Sequence, residues 1–231
     1  MNAILRYAED FFSLFFPELC SGCGKNLYKS ESLICTECIY HLPYTNFHID
    51  KDNRVARQLW GRIPFNHACA YLYFQKGLRV QNLMHQLKYN NKPGVAYKLG
   101  EMYGMQLLNS EMVRDIEVII PVPLHPARQK KRGYNQSEYF AYGLSNSLKI
   151  PVNLNLSRKV YTQTQTRKSR FMRYENMKEV FDIAQGHNLE NKHALLVDDV
   201  ITTGATIEAC ALELTKIAGL KISIATIAFA N

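Results

Sequence analysis

The sequence predicts an α/β fold in which helices cover both faces of a parallel sheet, with a small N-terminal metal-binding module attached. Apolar segments at 118–120, 194–197 and 222–229 indicate strands that are buried on both faces. Segments with helical spacing separate these strands, as expected when a parallel sheet is built from strand and helix in alternation. Four cysteines lie within residues 20–38, and this clustering predicts the metal-binding module.

The remaining elements follow from the spacing of apolar residues. Residues 70–74 predict one more strand. Helices are predicted where apolar side chains recur every three to four residues, at 3–16, 78–89, 95–109, 134–148 and 204–218. Because ligands of such sheets bind at the carboxyl ends of the strands, the turns that follow the strands are the first places to look for a site.

Composition limits the class of protein. The chain has 231 residues, of which 47% are hydrophobic and 21% charged, as in a globular protein rather than a disordered or membrane protein. The formal net charge of +8 favours phosphate-bearing partners, whether small phosphates or nucleic acids. We find neither a signal peptide nor roughly 18 consecutive apolar residues, so we expect a cytoplasmic protein without membrane insertion. The oligomeric state stays open.

Two acids, Asp198 and Asp199, follow the strand at 194–197, and a turn of small and hydroxyl residues leads into a helix. Free amides at a helix N-terminus hold an anion, and a glycine allows close approach of the backbone. Carboxylates repel phosphate, but they accept hydrogen bonds from a ribose diol and stabilise positive charge at the anomeric carbon. The alternative is an ordinary capped turn. We predict binding of a 5-phosphorylated ribose, such as phosphoribosyl diphosphate, with the phosphate at Thr202, Thr203, Gly204, Ala205 and Thr206.

The cysteine pattern is Cys20-x2-Cys23-x11-Cys35-x2-Cys38. Two thiolate pairs on tight turns can complete a tetrahedral shell, which leaves no position for water and predicts a structural zinc ion. An iron–sulfur cluster and free buried cysteines are the alternatives.

Three further motifs lie between the cysteines and the acidic loop: Leu-Lys-Tyr at 87–89, Pro-Val-Pro-Leu-His at 121–125 and Arg-Gly-Tyr-Asn-Gln at 132–136. In this order the motifs resemble the ComF family, which consists of phosphoribosyltransferase-like proteins with an N-terminal zinc finger. The resemblance implies a type I phosphoribosyltransferase fold. The composition and pattern along the chain predict a helix and zinc module at 1–43, a connecting segment at 44–66 and the main domain at 67–231.

The resemblance also implies roles for particular residues. Asp198 and Asp199 would contact the ribose hydroxyls, and Mg²⁺ would bridge the diphosphate and the ribose rather than sit among protein ligands. Residues 164–181 resemble a mobile loop, from which Arg173 would reach the leaving diphosphate. The diphosphate loop would comprise Pro121, Val122, Pro123 and Leu124.

A cluster of cations at Arg128, Lys130, Lys131 and Arg132 could hold a diphosphate or follow a nucleic-acid backbone. Three functions are therefore compatible with the sequence. The favoured one, whose cellular process rests on the resemblance, is a phosphoribosyl diphosphate-binding protein of DNA uptake or processing. The alternatives are an active phosphoribosyltransferase of nucleobase or nucleotide metabolism, and a single-stranded DNA-binding module with a non-catalytic pocket.

Overall fold

The computed structural model describes residues 16–75, 79–158, 181–186 and 188–230. The helix predicted at 3–16 lies outside the described residues except for its last position. Arg173 and nearly all of the predicted mobile loop also lie outside them. No helix of the described part of the chain is long and apolar enough to cross a membrane.

A parallel sheet of four strands forms the centre of the molecule. Its order is β1-β6-β5-β2, and the strands are β1 (Ala68–Phe74), β2 (Val118–Pro121), β5 (His193–Ile201) and β6 (Lys221–Ala230). The predicted strands are all present. β5 continues four residues beyond Val197, so Asp198 and Asp199 belong to the strand rather than to the loop that follows it.

A second, antiparallel pair consists of β3 (Leu156–Arg158) and β4 (Phe181–Ile183). The guanidinium of Arg158 lies 5.5 Å from the centre of the Phe181 ring. This contact fixes Arg158 near the end of the main sheet, where Arg158, Asp198 and Asp199 line one cavity.

Seven helices are described: α1 (Thr36–Tyr40), α2 (Arg54–Leu59), α3 (Arg79–Tyr89), α4 (Pro93–Leu107), α5 (Pro126–Arg132), α6 (Gln136–Leu148) and α7 (Ala205–Leu214). A 3₁₀ turn at Glu111–Val113 precedes β2. The predicted helices at 78–89, 95–109, 134–148 and 204–218 correspond to α3, α4, α6 and α7. The last begins one residue later and ends four residues earlier than predicted, at Leu214.

Two hydrophobic clusters occupy opposite faces of the sheet, as the alternation of side chains along β5 requires. Leu195 and Val197 belong to the first cluster, and Leu196 belongs to the second. Helices α4 and α6 pack in close contact on the first face. A Cβ atom at Gly143 would lie 2.1 Å from the carbonyl oxygen of Tyr97, so only glycine permits this approach.

The cysteine module packs on the main domain. Cys20, Ile34 and Cys38 belong to the same buried cluster as the apolar face of α3. The Asn82 amide on α3 donates to the carbonyl oxygen of Gly22, at 2.8 Å. One side of α3 is therefore fixed to the module, while its last turn lies at the candidate site.

Candidate functional site

Asp198 and Asp199 lie at the carboxyl end of β5, as predicted for a site in a parallel sheet. One carboxylate oxygen of Asp198 accepts hydrogen bonds from the Ser137 hydroxyl, at 2.9 Å, and from the Asp199 amide, at 2.8 Å. Loss of hydration and the neighbouring Asp199 carboxylate raise the pKa of Asp198 to about 7, against the opposing effect of these two hydrogen bonds. The charge of Asp198 is therefore sensitive to pH near neutrality.

Lys88 provides a cation directly beside the acids. Its Nζ lies 3.1 Å from Oδ2 of Asp199, and the two side chains are only 27% and 18% exposed. Two hydrogen bonds hold the end of α3 that carries Lys88. The Leu87 carbonyl oxygen accepts them from the Tyr134 hydroxyl and from the Gln136 side-chain amide. The motifs at 87–89 and 132–136 thus meet around the acid pair.

The predicted diphosphate loop is attached to the same region. The amide of Val122 donates to the carbonyl oxygen of Val197, at 2.8 Å. The Asn135 side chain donates to the carbonyl oxygen of Val122, at 3.0 Å, and its oxygen accepts from the Ser137 amide, which caps α6. Asn135 therefore fixes the loop after β2 relative to the first turn of α6.

The turn between β5 and α7 has the conformation that its glycine makes possible. Gly204 has φ of +77°, and a Cβ atom there would lie 2.9 Å from Leu59 of α2. The guanidinium of Arg62 donates to the carbonyl oxygen of Thr203, at 2.7 Å, and the Gln58 amide donates to that of Thr202. With both carbonyls held from outside, the backbone of the turn is fixed.

The first turn of α7 offers main-chain donors. The Glu208 amide is hydrogen-bonded to the carbonyl oxygen of Gly204, at 2.8 Å, and the Ala205 amide approaches the Thr203 hydroxyl, at 3.4 Å. The amides of Thr206 and Ile207 lie in the first turn, where a helix provides no internal acceptor. Together with the helix dipole they can bind an anion.

Part of each predicted group outside the cysteine module and the mobile loop lines one cavity of about 150 Å³. From the predicted residues, the acid pair, Thr206, the loop after β2 and two cations of α5 line it. Six further residues that were given no individual role also line it: Lys88, Asn135, Gln136, Ser137, Arg158 and Val200. The full lining is Lys88, Val122, Pro123, Leu124, Arg128, Arg132, Asn135, Gln136, Ser137, Arg158, Asp198, Asp199, Val200 and Thr206.

Outside the cysteine module, the predicted residues of the described chain that do not line this cavity are Pro121, Thr202, Thr203, Gly204, Ala205, Lys130 and Lys131. Thr202 lines a separate depression together with Arg54 and Arg57 of α2. Lys130 and Lys131 line an adjoining groove. The support that Gln58 and Arg62 give to the turn was missed, because both lie in the predicted connecting segment and carry no motif.

The four cysteines form a compact cluster in the module. Their sulfur atoms all lie within 4.8 Å of one another, and those of Cys23 and Cys35 are 3.7 Å apart. Cys20 Sγ accepts hydrogen bonds from the amides of Gly22 and Cys35, at 3.4 and 3.2 Å. Donors of this kind stabilise thiolates, which are the metal-binding form of cysteine.

The cluster fits a zinc ion. Zn–S bonds of about 2.3 Å in a tetrahedron place sulfur atoms about 3.8 Å apart, close to the distance between Cys23 and Cys35. Four sulfur ligands would leave no open position, so the ion would have a structural role. Across 16–75, 79–158, 181–186 and 188–230, no other group of three or more His, Cys, Asp or Glu ligands is close enough to hold a metal.

Comparison with known proteins agrees with this geometry. A family model described as "Phosphoribosyl transferase domain" matches residues 135–231. "Competence protein F" of Haemophilus influenzae is 28% identical over 223 residues, covering 91% of this chain and 96% of that protein. These matches support the resemblance to the ComF family. The chain has the type I phosphoribosyltransferase fold, with a parallel sheet flanked by helices and an N-terminal cluster of four cysteines.

Further matches include a second curated relative and a solved structure. "DNA utilization protein YhgH" of Escherichia coli O157:H7 is 28% identical over 193 residues, covering 82% of this chain and 80% of that protein. Among solved structures, a purine phosphoribosyltransferase from Pyrococcus horikoshii is 23% identical, with a TM-score of 0.39, over 58% of this chain and 73% of that one.

Proposed function

We propose that this protein binds phosphoribosyl diphosphate with Mg²⁺ in the cavity between β5, α6 and α7. The observation that carries the proposal is that Asp198 and Asp199 and the first turn of α7, at Thr206, line one cavity. A ligand that carries both a diol and a phosphate satisfies both groups. The 5-phosphate would bind at 202–206, and the ribose hydroxyls would donate to the two acids.

The remaining charges of the cavity suit the diphosphate. Lys88, Arg128, Arg132 and Arg158 line it together with the loop at 121–124. Charge-assisted hydrogen bonds from such cations hold phosphate oxygens. Mg²⁺ would enter with the ligand, since it prefers substrate phosphates, and would neutralise charge that develops on the leaving diphosphate. Arg173 remains our candidate for a further contact with that group.

If ribosyl phosphate is transferred, the protein would contribute position and electrostatics. The ionised acids would stabilise positive charge at the anomeric carbon as its bond to the diphosphate breaks. The cations around Lys88 would stabilise the negative charge that the diphosphate gains. An acceptor held in line would then complete the exchange.

The cellular process is proposed from the relatives. One is named a competence protein, and the other is named a DNA utilization protein. We therefore propose that this chain acts in the cytoplasm, in DNA uptake or DNA processing. A phosphoribosyltransferase of nucleobase metabolism is the alternative.

Calorimetry with phosphoribosyl diphosphate and Mg²⁺ tests the binding proposal. We expect saturable binding at one site per chain, and much weaker binding of ribose, which lacks both phosphates. The absence of any heat of binding at millimolar concentrations of the ligand would contradict the proposal. Each nucleobase is then added and release of diphosphate is measured, because release with one particular base identifies an active transferase.

Single-stranded DNA binding is a second candidate function, and the groove beside the cavity favours it. The groove has a volume of about 700 Å³ and is lined by five cations, namely Lys88, Arg128, Lys130, Lys131 and Arg132. Clustered cations neutralise backbone phosphates and release their counterions.

The pH dependence of ligand affinity should report the charge of Asp198. Because its pKa is raised to about 7, the carboxyl is mostly protonated at pH 6 and mostly ionised at pH 8. Only the ionised form accepts hydrogen bonds through both oxygens, so the affinity for phosphoribosyl diphosphate should rise roughly tenfold over this range. Calorimetry at each pH measures the change.

The ligand's own phosphates also ionise in this range. A variant that shifts the pKa of Asp198 and leaves the ligand unchanged therefore provides the control. Ser137→Ala removes a hydrogen bond that lowers the pKa of Asp198. The midpoint of its affinity curve should therefore shift to higher pH, while the ionisation of the ligand is the same for both proteins. Superimposable curves would show that Asp198 is not the titrating group.

A further inference from the structure

We call the cavity that Asp198 and Asp199 line the acid cavity. The groove beside it lies between the last turn of α3 and helix α5. Its described lining contains no acidic residue and consists of Lys88, Tyr89, Asn91, Arg128, Lys130, Lys131, Arg132 and Gly133. Helix α5 has no buried residue, and three cations occupy its last turn. Such a helix contributes little to the core, but it presents a row of positive charge along the groove.

Three of the cations belong to both spaces. Lys88, Arg128 and Arg132 line the groove and also the cavity with the acid pair. Arg128 and Arg132 are one helical turn apart and so share a face of α5. Lys130 and Lys131 line only the groove, whereas Asp198 and Asp199 line only the cavity.

An aromatic surface adjoins the groove. The Tyr89 side chain is 66% exposed at the end of α3, and its ring lies 4.9 Å from that of the exposed His85. Exposed aromatic rings beside cations are where unpaired bases stack on proteins that bind single strands. The groove therefore suits a nucleic acid with accessible base faces better than a small phosphate.

We propose that the groove binds single-stranded nucleic acid and that phosphoribosyl diphosphate displaces this strand by taking Lys88, Arg128 and Arg132. The competition rests on the proposed function, since it requires the diphosphate to bind in the acid cavity. A cation that pairs with the diphosphate is withdrawn from the backbone phosphates, and the two anionic ligands repel each other. By linkage, the strand weakens binding of phosphoribosyl diphosphate by the same factor.

The number of shared cations sets the size of the effect. Each phosphate of a single strand that a cation neutralises contributes about 0.7 to the slope of log affinity against log salt. Loss of three contacts should therefore lower the slope by about 2. The two cations that line only the groove would still give weak, less salt-dependent binding.

Fluorescence anisotropy of a labelled oligothymidylate tests the competition at constant Mg²⁺. We expect saturating phosphoribosyl diphosphate to weaken oligonucleotide binding at least tenfold. Ribose 5-phosphate would occupy the turn at 202–206 and the acids but lacks the diphosphate, so it should change the affinity less than twofold. If the oligonucleotide affinity stays constant while calorimetry shows that phosphoribosyl diphosphate is bound, competition is refuted and the proposed function stands. If no phosphoribosyl diphosphate binds, the proposed function itself fails.

Two matched double variants test whether the single-stranded nucleic acid binds in the groove. Lys130→Gln with Lys131→Gln removes two exposed charges that lie outside the acid cavity. Arg114→Gln with Lys221→Gln removes two exposed charges near the amino ends of β2 and β6, at the opposite edge of the sheet. The first pair should weaken oligonucleotide binding at least fivefold more than the second. Equal losses would mean that net charge, and not the groove, binds the strand.

Discussion

Replacement of Asp198 and Asp199 together by asparagine is expected to abolish measurable binding of phosphoribosyl diphosphate. Each carboxylate would accept charge-assisted hydrogen bonds from ribose hydroxyls, and such bonds contribute about 1.5–3 kcal/mol each. Their joint loss corresponds to a weakening of about a hundredfold or more. Calorimetry with Mg²⁺ present measures the loss.

The same substitution should leave the fold intact. The folded-state pKa of Asp198 is raised, so its contribution to stability is present at low pH and is lost as the pH rises towards about 7. At pH 8 a neutral asparagine therefore removes a destabilising charge, and its oxygen can still accept from Ser137. The broken pair between Lys88 and Asp199 is partly exposed and costs little. We expect a melting temperature at pH 8 equal to or above that of the original protein.

A charge-matched control completes this experiment. Asp50 and Asp115 are exposed and line neither the acid cavity nor the basic groove. Asp50→Asn with Asp115→Asn removes the same net charge and should leave the affinity unchanged. If the variant at Asp198 and Asp199 binds as tightly as this control, the role that we assign to the acid pair is wrong.

The sequence predicts the elements whose pattern is local. Strands such as 194–197 are recognisable because burial on both faces requires an unbroken apolar run. The two pairs of cysteines are recognisable by their spacing, and the acids by their position directly after an apolar run. The bounds were less accurate: β5 extends to Ile201 because its backbone continues to pair with β6 past the last run of aliphatic residues.

The missed features depend on contacts between distant parts of the chain. Gln58 lies 144 positions from Thr202, whose carbonyl it holds, and Arg62 lies 141 positions from Thr203. No local pattern records such pairs. Helix α5 was missed for another reason, since it buries no side chain and therefore has no apolar periodicity. The division at 43 and 66 stays a prediction, because composition does not reveal how the cysteine module packs.

The second large effect concerns the cysteine module. Cys35→Ser is expected to remove zinc from the protein and to lower its melting temperature and solubility. Cys35 is buried, and its sulfur accepts from the Cys38 amide within the cluster. Structural zinc contributes about 10–16 kcal/mol to folding of isolated zinc-finger peptides, so loss of one thiolate should unfold the module. Metal analysis and thermal unfolding measure the two effects.

Cys210→Ala is the matched control, because this cysteine is buried in α7 and belongs to the other hydrophobic cluster. Its loss should lower stability modestly and leave the zinc content unchanged. Purified protein that contains no metal would refute the zinc proposal, and iron in place of zinc would indicate a cluster of the other kind.

Loss of zinc should also weaken ligand binding in the acid cavity, although none of the four cysteines lines this cavity. Helix α3 connects the two sites, since Asn82 is bound to Gly22 of the module and Lys88 is paired with Asp199. When the module unfolds, α3 loses the part of its hydrophobic support that the module provides, and Lys88 is held less firmly beside the acids. Cys35→Ser should therefore weaken binding of phosphoribosyl diphosphate, and Cys210→Ala should not. If the zinc-free protein binds the ligand with unchanged affinity, α3 holds its position without the module.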